Sequence, residues 1–311
     1  MRCTSPRRVG FKADGKTISF SPFKFSPEYV GFQVPCGYCL ACRLERGRQW
    51  AVRAVHEAKM HRENSFITLT YRPECLPGPR VIYSDFQEFM KSLRSRLDYA
   101  GIDHQIGYLV VGEYGADNKR PHWHACLFGW SPNVVPVGYS EPKKAYKNEL
   151  GDQVFTSDFL DEVWGKGMCD FGSVTFKSAG YCARYAAKKL VHGKDNDHEF
   201  HPVFKVSSKY AIGRSWLEKY WRDVFNHGRC EVNGVSCSIP RYYEKWFKRE
   251  HPDEWIRYVT EVKSKVCFDS SVKADLDFWE RRSGGGRVSR EKAERLILEG
   301  NFNRLQDNLK L

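Results

Sequence analysis

The sequence has no apolar run that approaches the roughly 20 residues of a membrane-spanning helix, so it predicts no membrane helix. Charged residues follow Met1 without an apolar stretch behind them, and we therefore expect no secretory signal. No glycine-rich phosphate loop follows any predicted strand, which disfavours a parallel nucleotide-binding fold. Internal repeats are absent as well, and an aromatic content of 14% argues against general disorder.

The chain is strongly basic. Its 311 residues carry 50 Lys and Arg against 38 Asp and Glu, a formal net charge of +12, and the excess leans toward the N-terminal end. This balance favours a polyanionic partner, nucleic acid first and an anionic membrane surface second. The length is sufficient for one large or two modest domains.

The chain has 11 cysteines, which is many for a protein without a visible signal peptide. Metal binding or free thiols therefore explain them better than a disulfide framework does. Cys36, Cys39 and Cys42 form C-x-x-C-x-x-C, and Cys3 is the best fourth ligand by position. Four thiols at this spacing predict a structural zinc site, with an iron–sulfur ligand set or no metal as the alternatives.

The hydrophobic periodicity predicts an α+β fold built on a central antiparallel sheet flanked by helices. Predicted helices cover 43–62, 84–97, 157–163, 178–190, 214–225, 241–247 and 253–262. Predicted strands cover 66–71, 106–113, 122–128 and 169–175, and residues 191–206 are predicted to form a polar loop. A polar turn separates strands 106–113 and 122–128, which predicts that they pair as a hairpin. We divide the chain into an N-terminal segment 1–62, a core 63–228 and a mostly helical C-terminal extension 229–311.

The first candidate site lies on that hairpin. Alternation along a strand places His122 and His124 on one face and Trp123 on the other. Glu113, at the end of the partner strand, completes a set of two imidazoles and one carboxylate that suits Mg²⁺ or Mn²⁺ holding a phosphate. The alternative is that the two histidines merely form a polar strand face.

The second candidate site is a pair of tyrosines on the predicted helix 178–190. Tyr181 and Tyr185 are four residues apart and share a helix face, with Arg184 and Lys188 on a neighbouring face. A tyrosine hydroxyl has a pKa of about 10 and needs a base, a cation or a metal to act as a nucleophile. Lys188, one turn after Tyr185, supplies such a charge. The alternative is that both rings pack in a core.

The third candidate is a set of arginines for DNA. Arg43, Arg46 and Arg53 form a basic stripe on the first helix and are predicted to follow the phosphates of a duplex, unless the stripe is simply a solvated face. Arg120 beside the histidines and Arg184 beside the tyrosines are predicted DNA contacts too.

Together, these motifs resemble a known superfamily. The set of strand 66–71, then Pro121-His122-Trp123-His124, then Tyr185-Ala186-Ala187-Lys188 is similar to the HUH endonucleases that initiate rolling-circle replication. The finer pattern resembles the replication initiators of microviruses of gokushovirus type. Its elements here are Gly112-Glu113-Tyr114-Gly115, Arg120-Pro121-His122, Trp164-Gly165-Lys166-Gly167, the Cys36–Cys42 motif, Tyr181-x-x-x-Tyr185 and Ile239-Pro240-Arg241-Tyr242-Tyr243.

The resemblance implies an HUH-like core and a mechanism. A tyrosine would attack a DNA phosphodiester, leaving a 3′-OH and a 5′-phosphotyrosine, with the metal at Glu113, His122 and His124 polarising the phosphate. The second tyrosine would cleave after one round. Tyr185 matches the Tyr-x-x-Lys pattern, whereas Tyr181 has Arg184 where lysine would match, so Tyr185 is the better supported nucleophile.

The implied partners are single-stranded DNA, double-stranded origin DNA and host replication helicase or polymerase, with no membrane, in the host bacterial cytoplasm. Two alternatives fit the same residues. One is a plasmid or transposon nuclease of the same superfamily. The other is a zinc-containing DNA-binding regulator without catalysis.

Overall fold

A computed structural model describes residues 3–15, 17–28, 31–115, 119–148, 151–188, 202–209 and 211–263. The chain divides into two compact units, one formed by residues 1–46 with 269–311 and the other by 47–268. Residues 264–311, most of the predicted C-terminal extension, lie outside the described residues. None of the helices in the described ranges is long and apolar enough to cross a membrane.

The first unit contains a small antiparallel sheet. Its strands are β1 (Arg7–Phe11), β2 (Ile18–Ser19) and β3 (Phe32–Val34), in the order β2-β1-β3. Phe11 pairs with Ile18, and Val9 pairs with Phe32. Helix α1 (Leu40–Ala58) follows, beginning within the cysteine motif.

The second unit is built on a seven-stranded antiparallel sheet, which confirms the predicted α+β class. Its order is β10-β5-β6-β4-β9-β8-β7. The strands are β4 (Asn64–Thr70), β5 (Gly107–Tyr114), β6 (Pro121–Phe128), β7 (Lys143–Lys147), β8 (Gln153–Thr156), β9 (Cys169–Gly172) and β10 (Val203–Val206). The helices are α2 (Tyr83–Tyr99), α3 (Asp158–Trp164), α4 (Phe176–Lys188), α5 (Arg214–His227), α6 (Arg241–Glu250) and α7 (Pro252–Arg257), and a π-helical turn follows at Tyr258–Lys263.

Strands β5 and β6 form the predicted hairpin at the centre of the sheet, with Glu113 opposite His122. Because side chains alternate along a strand, each carries one apolar set to each face. One face packs on α2, whose buried residues are Phe86, Phe89, Met90, Leu93 and Leu97. The other face packs on α4 and on the part of α1 from Val52 onward. The sheet is therefore buried on both sides near its centre.

The helix contact on this second face requires a small residue. A Cβ added at Gly47 of α1 would lie 3.2 Å from the carbonyl oxygen of Ala183 on α4. Ala179, Cys182 and Ala183 of α4 are fully buried. Small residues on both helices thus let α4 lie close to the hairpin.

The C-terminal elements are less purely helical than predicted. Strands β11 (Cys230–Val232) and β12 (Val235–Cys237) form a hairpin between α5 and α6. Their core closes around His56 of α1, which stacks on Trp216 at 3.5 Å between ring centroids and contacts the Tyr243 hydroxyl at 3.0 Å. Burial of His56 lowers its pKa to about 4, so this histidine is neutral and serves packing.

The prediction of a loop over 191–206 is wrong at its end, because residues 203–206 form β10 and pair with β5. The strand has only four residues and lies at the sheet edge, and Lys205 interrupts its apolar pattern. Strands β7 and β8 are similarly short and were not predicted.

Gly112 tests the packing of the central hairpin. A Cβ at this position would lie 2.6 Å from Cζ3 of the buried Trp123 ring, so we expect Gly112→Ala to destabilise the protein by about 1–3 kcal/mol. The matched control is Gly107→Ala on the same strand, where the nearest atom, Ser207 Oγ, would be 3.6 Å away. Thermal unfolding of the two variants measures the difference, and equal melting temperatures would contradict this account of the hairpin.

Candidate active site and metal sites

Three predicted ligands meet on the face of the sheet that packs on α4. Glu113 pairs with His122 across the hairpin, and His124 lies two residues farther along β6. The Nε2 atoms of His122 and His124 lie 3.2 Å and 3.1 Å from Glu113 Oε1. One ligand atom from each residue falls within 4.8 Å of the others, which is close enough for one ion.

The carboxylate is deeply buried and the imidazoles are not. Glu113 is 2% exposed, and its Oε2 atom has no hydrogen-bond partner among the described residues. The side chains of His122 and His124 retain 18% and 14% of their exposure. The cluster is thus open toward solvent through its nitrogens, and its buried oxygen needs a cation.

Electrostatics ties the three groups together. Burial alone would raise the pKa of Glu113, but hydrogen bonds from His122 and His124 outweigh it and hold that pKa well below its usual range. Burial alone would lower the pKa of His122, but the hydrogen bond and charge of Glu113 raise it. The carboxylate is therefore ionised, and in the metal-free chain it favours a protonated His122.

Neighbouring groups fix the orientation of both rings. His122 Nδ1 donates to the carbonyl oxygen of Arg120 at 3.1 Å, and His124 Nδ1 lies 3.2 Å from Thr68 Oγ1. Phe66 stacks on the His124 ring with 5.6 Å between centroids. Each Nε2 consequently faces Glu113, as expected for metal-binding histidines. The sequence analysis missed Thr68 and Phe66, although the alternation of strand 66–71 placed them on one face.

These residues fit a divalent ion. Two imidazoles and one carboxylate leave further coordination positions open, and this donor set suits Mn²⁺ better than Mg²⁺, which prefers oxygen ligands. The unpartnered Glu113 Oε2 supplies a second carboxylate oxygen within the cluster.

Tyr181 reaches the same point from α4. Its hydroxyl donates a hydrogen bond to Glu113 Oε1, and its ring lies 5.0 Å from the His124 ring. The Arg184 guanidinium lies over the Tyr181 ring, 5.0 Å from its centroid. Tyr185 and Lys188 belong to the backbone of α4, but their side chains lie outside the described residues.

The predicted DNA contacts differ in their surroundings. Arg120 donates to the carbonyl oxygen of Tyr71 beside the cluster, and Arg43 and Arg46 are half-buried in the first unit. Arg53 departs from the prediction. It is 9% exposed, donates to the Ile212 carbonyl oxygen at 2.9 Å and packs against the rings of Trp50 and Tyr242. A guanidinium enclosed in this way supports packing and is not available to phosphates.

The cysteine motif forms a second cluster, in the first unit. The sulfurs of Cys3, Cys36, Cys39 and Cys42 all lie within 4.8 Å of one another, and none is in a disulfide. The amides of Tyr38 and Cys39 donate to Cys36 Sγ at 3.4 and 3.3 Å, and that of Cys36 donates to Cys3 Sγ at 3.2 Å. Amides directed at sulfurs stabilise thiolates, and a compact set of four cysteines fits a tetrahedral zinc ion.

Comparisons with known proteins agree with these motifs. A family model for replication-associated proteins of the ORF2 type matches residues 64–190, which contain both histidines, Glu113 and both tyrosines. No solved structure matches the chain.

Three phage proteins are similar over much of the chain. The replication-associated protein VP4 of Bdellovibrio phage phiMH2K is 42% identical over 324 residues and covers all of both chains. The replication-associated protein ORF4 of Chlamydia phage 1 is 33% identical, over 80% of this chain and 63% of its own. The replication-associated protein ORF2 of Spiroplasma virus 4 is 29% identical, over 86% and 87% of the two chains. The chain belongs to the replication-associated proteins of microviruses.

Proposed function

We propose that the chain initiates rolling-circle replication by nicking DNA and later rejoining it through tyrosine chemistry. The observation that supports this is the convergence of the Tyr181 hydroxyl, the Glu113 carboxylate and two imidazoles at one point. A phenol beside a cation site can attack a phosphodiester, because the cation stabilises the charge that develops on the phosphate. Single-stranded DNA and the origin duplex are the proposed substrates.

In the proposed reaction, a tyrosine oxygen attacks the scissile phosphorus. A bond from the phenolic oxygen to phosphorus forms and the bond to the 3′ oxygen breaks, giving a 5′-phosphotyrosine and a 3′-OH. The phenolic proton passes to solvent, and Lys188 donates a proton to the leaving oxygen. Attack of a 3′-OH on the phosphotyrosine reverses the step and joins the strand.

The protein's own groups prepare this attack. Glu113, His122 and His124 would hold Mn²⁺ or Mg²⁺, and the bound ion would supply Lewis acidity to the phosphate. Arg184 favours ionisation of Tyr181 because its cation lies over the ring. Tyr185 is proposed as the first nucleophile on its Tyr-x-x-Lys pattern, and Tyr181 as the second on its contact with Glu113.

The four thiols are a separate part of the proposal, a structural zinc site. It would tie Cys3 to the start of α1 and stabilise a unit too small to depend on its own core. Arg43 and Arg46 then contact phosphates of the origin duplex from this basic end of the chain.

The nucleophiles are tested by replacing each tyrosine. Protein and tiled, labelled single-stranded oligonucleotides from the encoding genome are mixed with Mn²⁺ and run on a denaturing gel. Tyr185→Phe is expected to lower the yield of covalent adduct at least about tenfold, because the remaining tyrosine lacks a lysine partner. Tyr181→Phe should retain an adduct, and the double variant should give none.

An adduct formed at full rate by Tyr185→Phe would overturn the assignment of the first nucleophile. An adduct in the double variant would overturn tyrosine chemistry at this helix. If the wild-type chain forms no adduct with any oligonucleotide, the chain is instead the zinc-containing DNA-binding regulator without catalysis.

The metal cluster is tested by the pH dependence of stability without added divalent ions. The raised pKa of His122 contributes stability that is present below its unfolded value of about 6.5 and is lost as the pH rises through the folded pKa. The lowered pKa of Glu113 contributes stability that is present above about 4.3 and is lost as the pH falls.

Wild-type protein should therefore melt above Glu113→Gln by the largest margin at about pH 4.3–6.5, and the margin should narrow toward pH 8. Thermal melts of both proteins in the same buffers measure it, and other titrating groups cancel in the difference. A margin that grows steadily from pH 5 to pH 8 would contradict the ion pair.

Zinc is tested by elemental analysis of purified protein. Wild type should contain about one zinc per chain, because four thiolates complete a tetrahedral site. Cys39→Ser should lose most of it. Cys75→Ser is the matched control, since Cys75 is a free, half-buried cysteine outside the cluster. Equal zinc content in Cys39→Ser and wild type would reject the site.

A further inference from the structure

The small sheet of the first unit has one face that combines exposed aromatic rings with an arginine. Its register places Arg7, Phe11, Ile18 and Phe32 on the same side, and Phe20 continues that side beyond β2. We call these five residues the aromatic face. Phe20 is 54% exposed, Ile18 45% and Phe32 36%, whereas Val9 beneath them is fully buried.

Two contacts join the aromatic face into one surface. The Phe11 and Phe32 rings lie 5.4 Å apart between centroids, and the Arg7 guanidinium lies 4.7 Å from the centroid of Phe20. The opposite side of the sheet is packed differently. The Phe25 ring lies so close to Gly10 that an added Cβ there would be 2.6 Å from it. The sheet therefore leaves its aromatic side exposed while the other side carries its own packing.

The charge around this surface is positive. Arg7, Arg8, Lys12 and Lys24 are exposed, against the exposed acids Asp14 and Glu28. Asp14 already accepts hydrogen bonds from the Thr17 backbone and side chain. Rings that are open on one face and bordered by cations match the two parts of a nucleic acid strand, its bases and its phosphates. A purely apolar protein interface would not need this cationic border.

We propose that the aromatic face binds single-stranded DNA, with unpaired bases stacking on Phe20 and Phe32 and phosphates contacting Arg7. Single-stranded DNA is favoured over duplex because paired bases are stacked on each other and offer no free ring face. The first unit thereby holds a DNA strand independently of the nicking chemistry in the second unit.

The test is a binding titration of the full chain with a labelled oligothymidylate, without added Mg²⁺ or Mn²⁺ so that no cleavage is required. Phe20→Ala should weaken binding at least about fivefold, as expected for loss of one stacked base. Phe20→Tyr should retain the wild-type affinity because the ring remains. Phe20→Leu should weaken binding like Phe20→Ala, which separates stacking from simple apolar contact.

Arg7→Ala should lower the slope of log affinity against log salt by about 0.7, as loss of one phosphate contact to a single strand does. Tyr99→Ala is the matched control, because Tyr99 is 97% exposed at the end of α2 in the second unit. It should bind as wild type does. Circular dichroism and zinc content of each variant check that the first unit remains folded.

Unchanged affinity in Phe20→Ala would overturn the proposal, and so would full affinity in Phe20→Leu. An equal loss of affinity for a duplex would also overturn it, since a duplex cannot stack on these rings. A chain that fails to nick DNA but shows the expected binding losses would refute the proposed enzymatic function and leave this surface supported.

Discussion

The buried carboxylate of Glu113 is the constraint on which the centre of this protein depends. A carboxylate at 2% exposure is costly unless opposite charge or hydrogen bonds offset its loss of water. Two imidazoles and one phenol direct themselves at the same oxygen, Oε1. This arrangement requires the observed register, because a slip of one residue between β5 and β6 would turn both histidines to the opposite face. The chemistry and the strand pairing are therefore specified together.

The same requirement reaches the helix layer. Tyr181 can contact Glu113 only if α4 lies close to the sheet, and its buried residues Ala179, Cys182 and Ala183 are small. On the other side of α4, a Cβ added at Gly47 of α1 would lie 3.2 Å from the Ala183 carbonyl oxygen. Small residues that are ordinary in composition thus fix the distance between a phenol and a carboxylate.

The sequence predicted those parts of the molecule in which local pattern and tertiary contact agree. The hairpin and the facing of Glu113, His122 and His124 follow from alternation across one polar turn, so a single-sequence argument reaches them. Strands β7, β8 and β10 escaped because four or five residues with exposed lysines give little periodic signal, and pairing with a neighbour decides their conformation. Arg53 was misassigned for a similar reason, since its enclosure depends on Tyr242 and Ile212, far away in the chain.

The chemical contrast between the two ligand clusters has a consequence for metal selection. Four thiolates form a soft donor set that favours zinc, whereas two imidazoles and a carboxylate with open positions accept a harder ion that can exchange and contact phosphate. Affinity alone would let zinc compete for both sites, since it lies above Mn²⁺ in the usual order of binding strength. A chain that needs an exchangeable ion at Glu113 benefits from open coordination positions there, because a closed site of four protein ligands retains its metal. The proposed division of roles, structural in one unit and catalytic in the other, thus follows from donor type and coordination number.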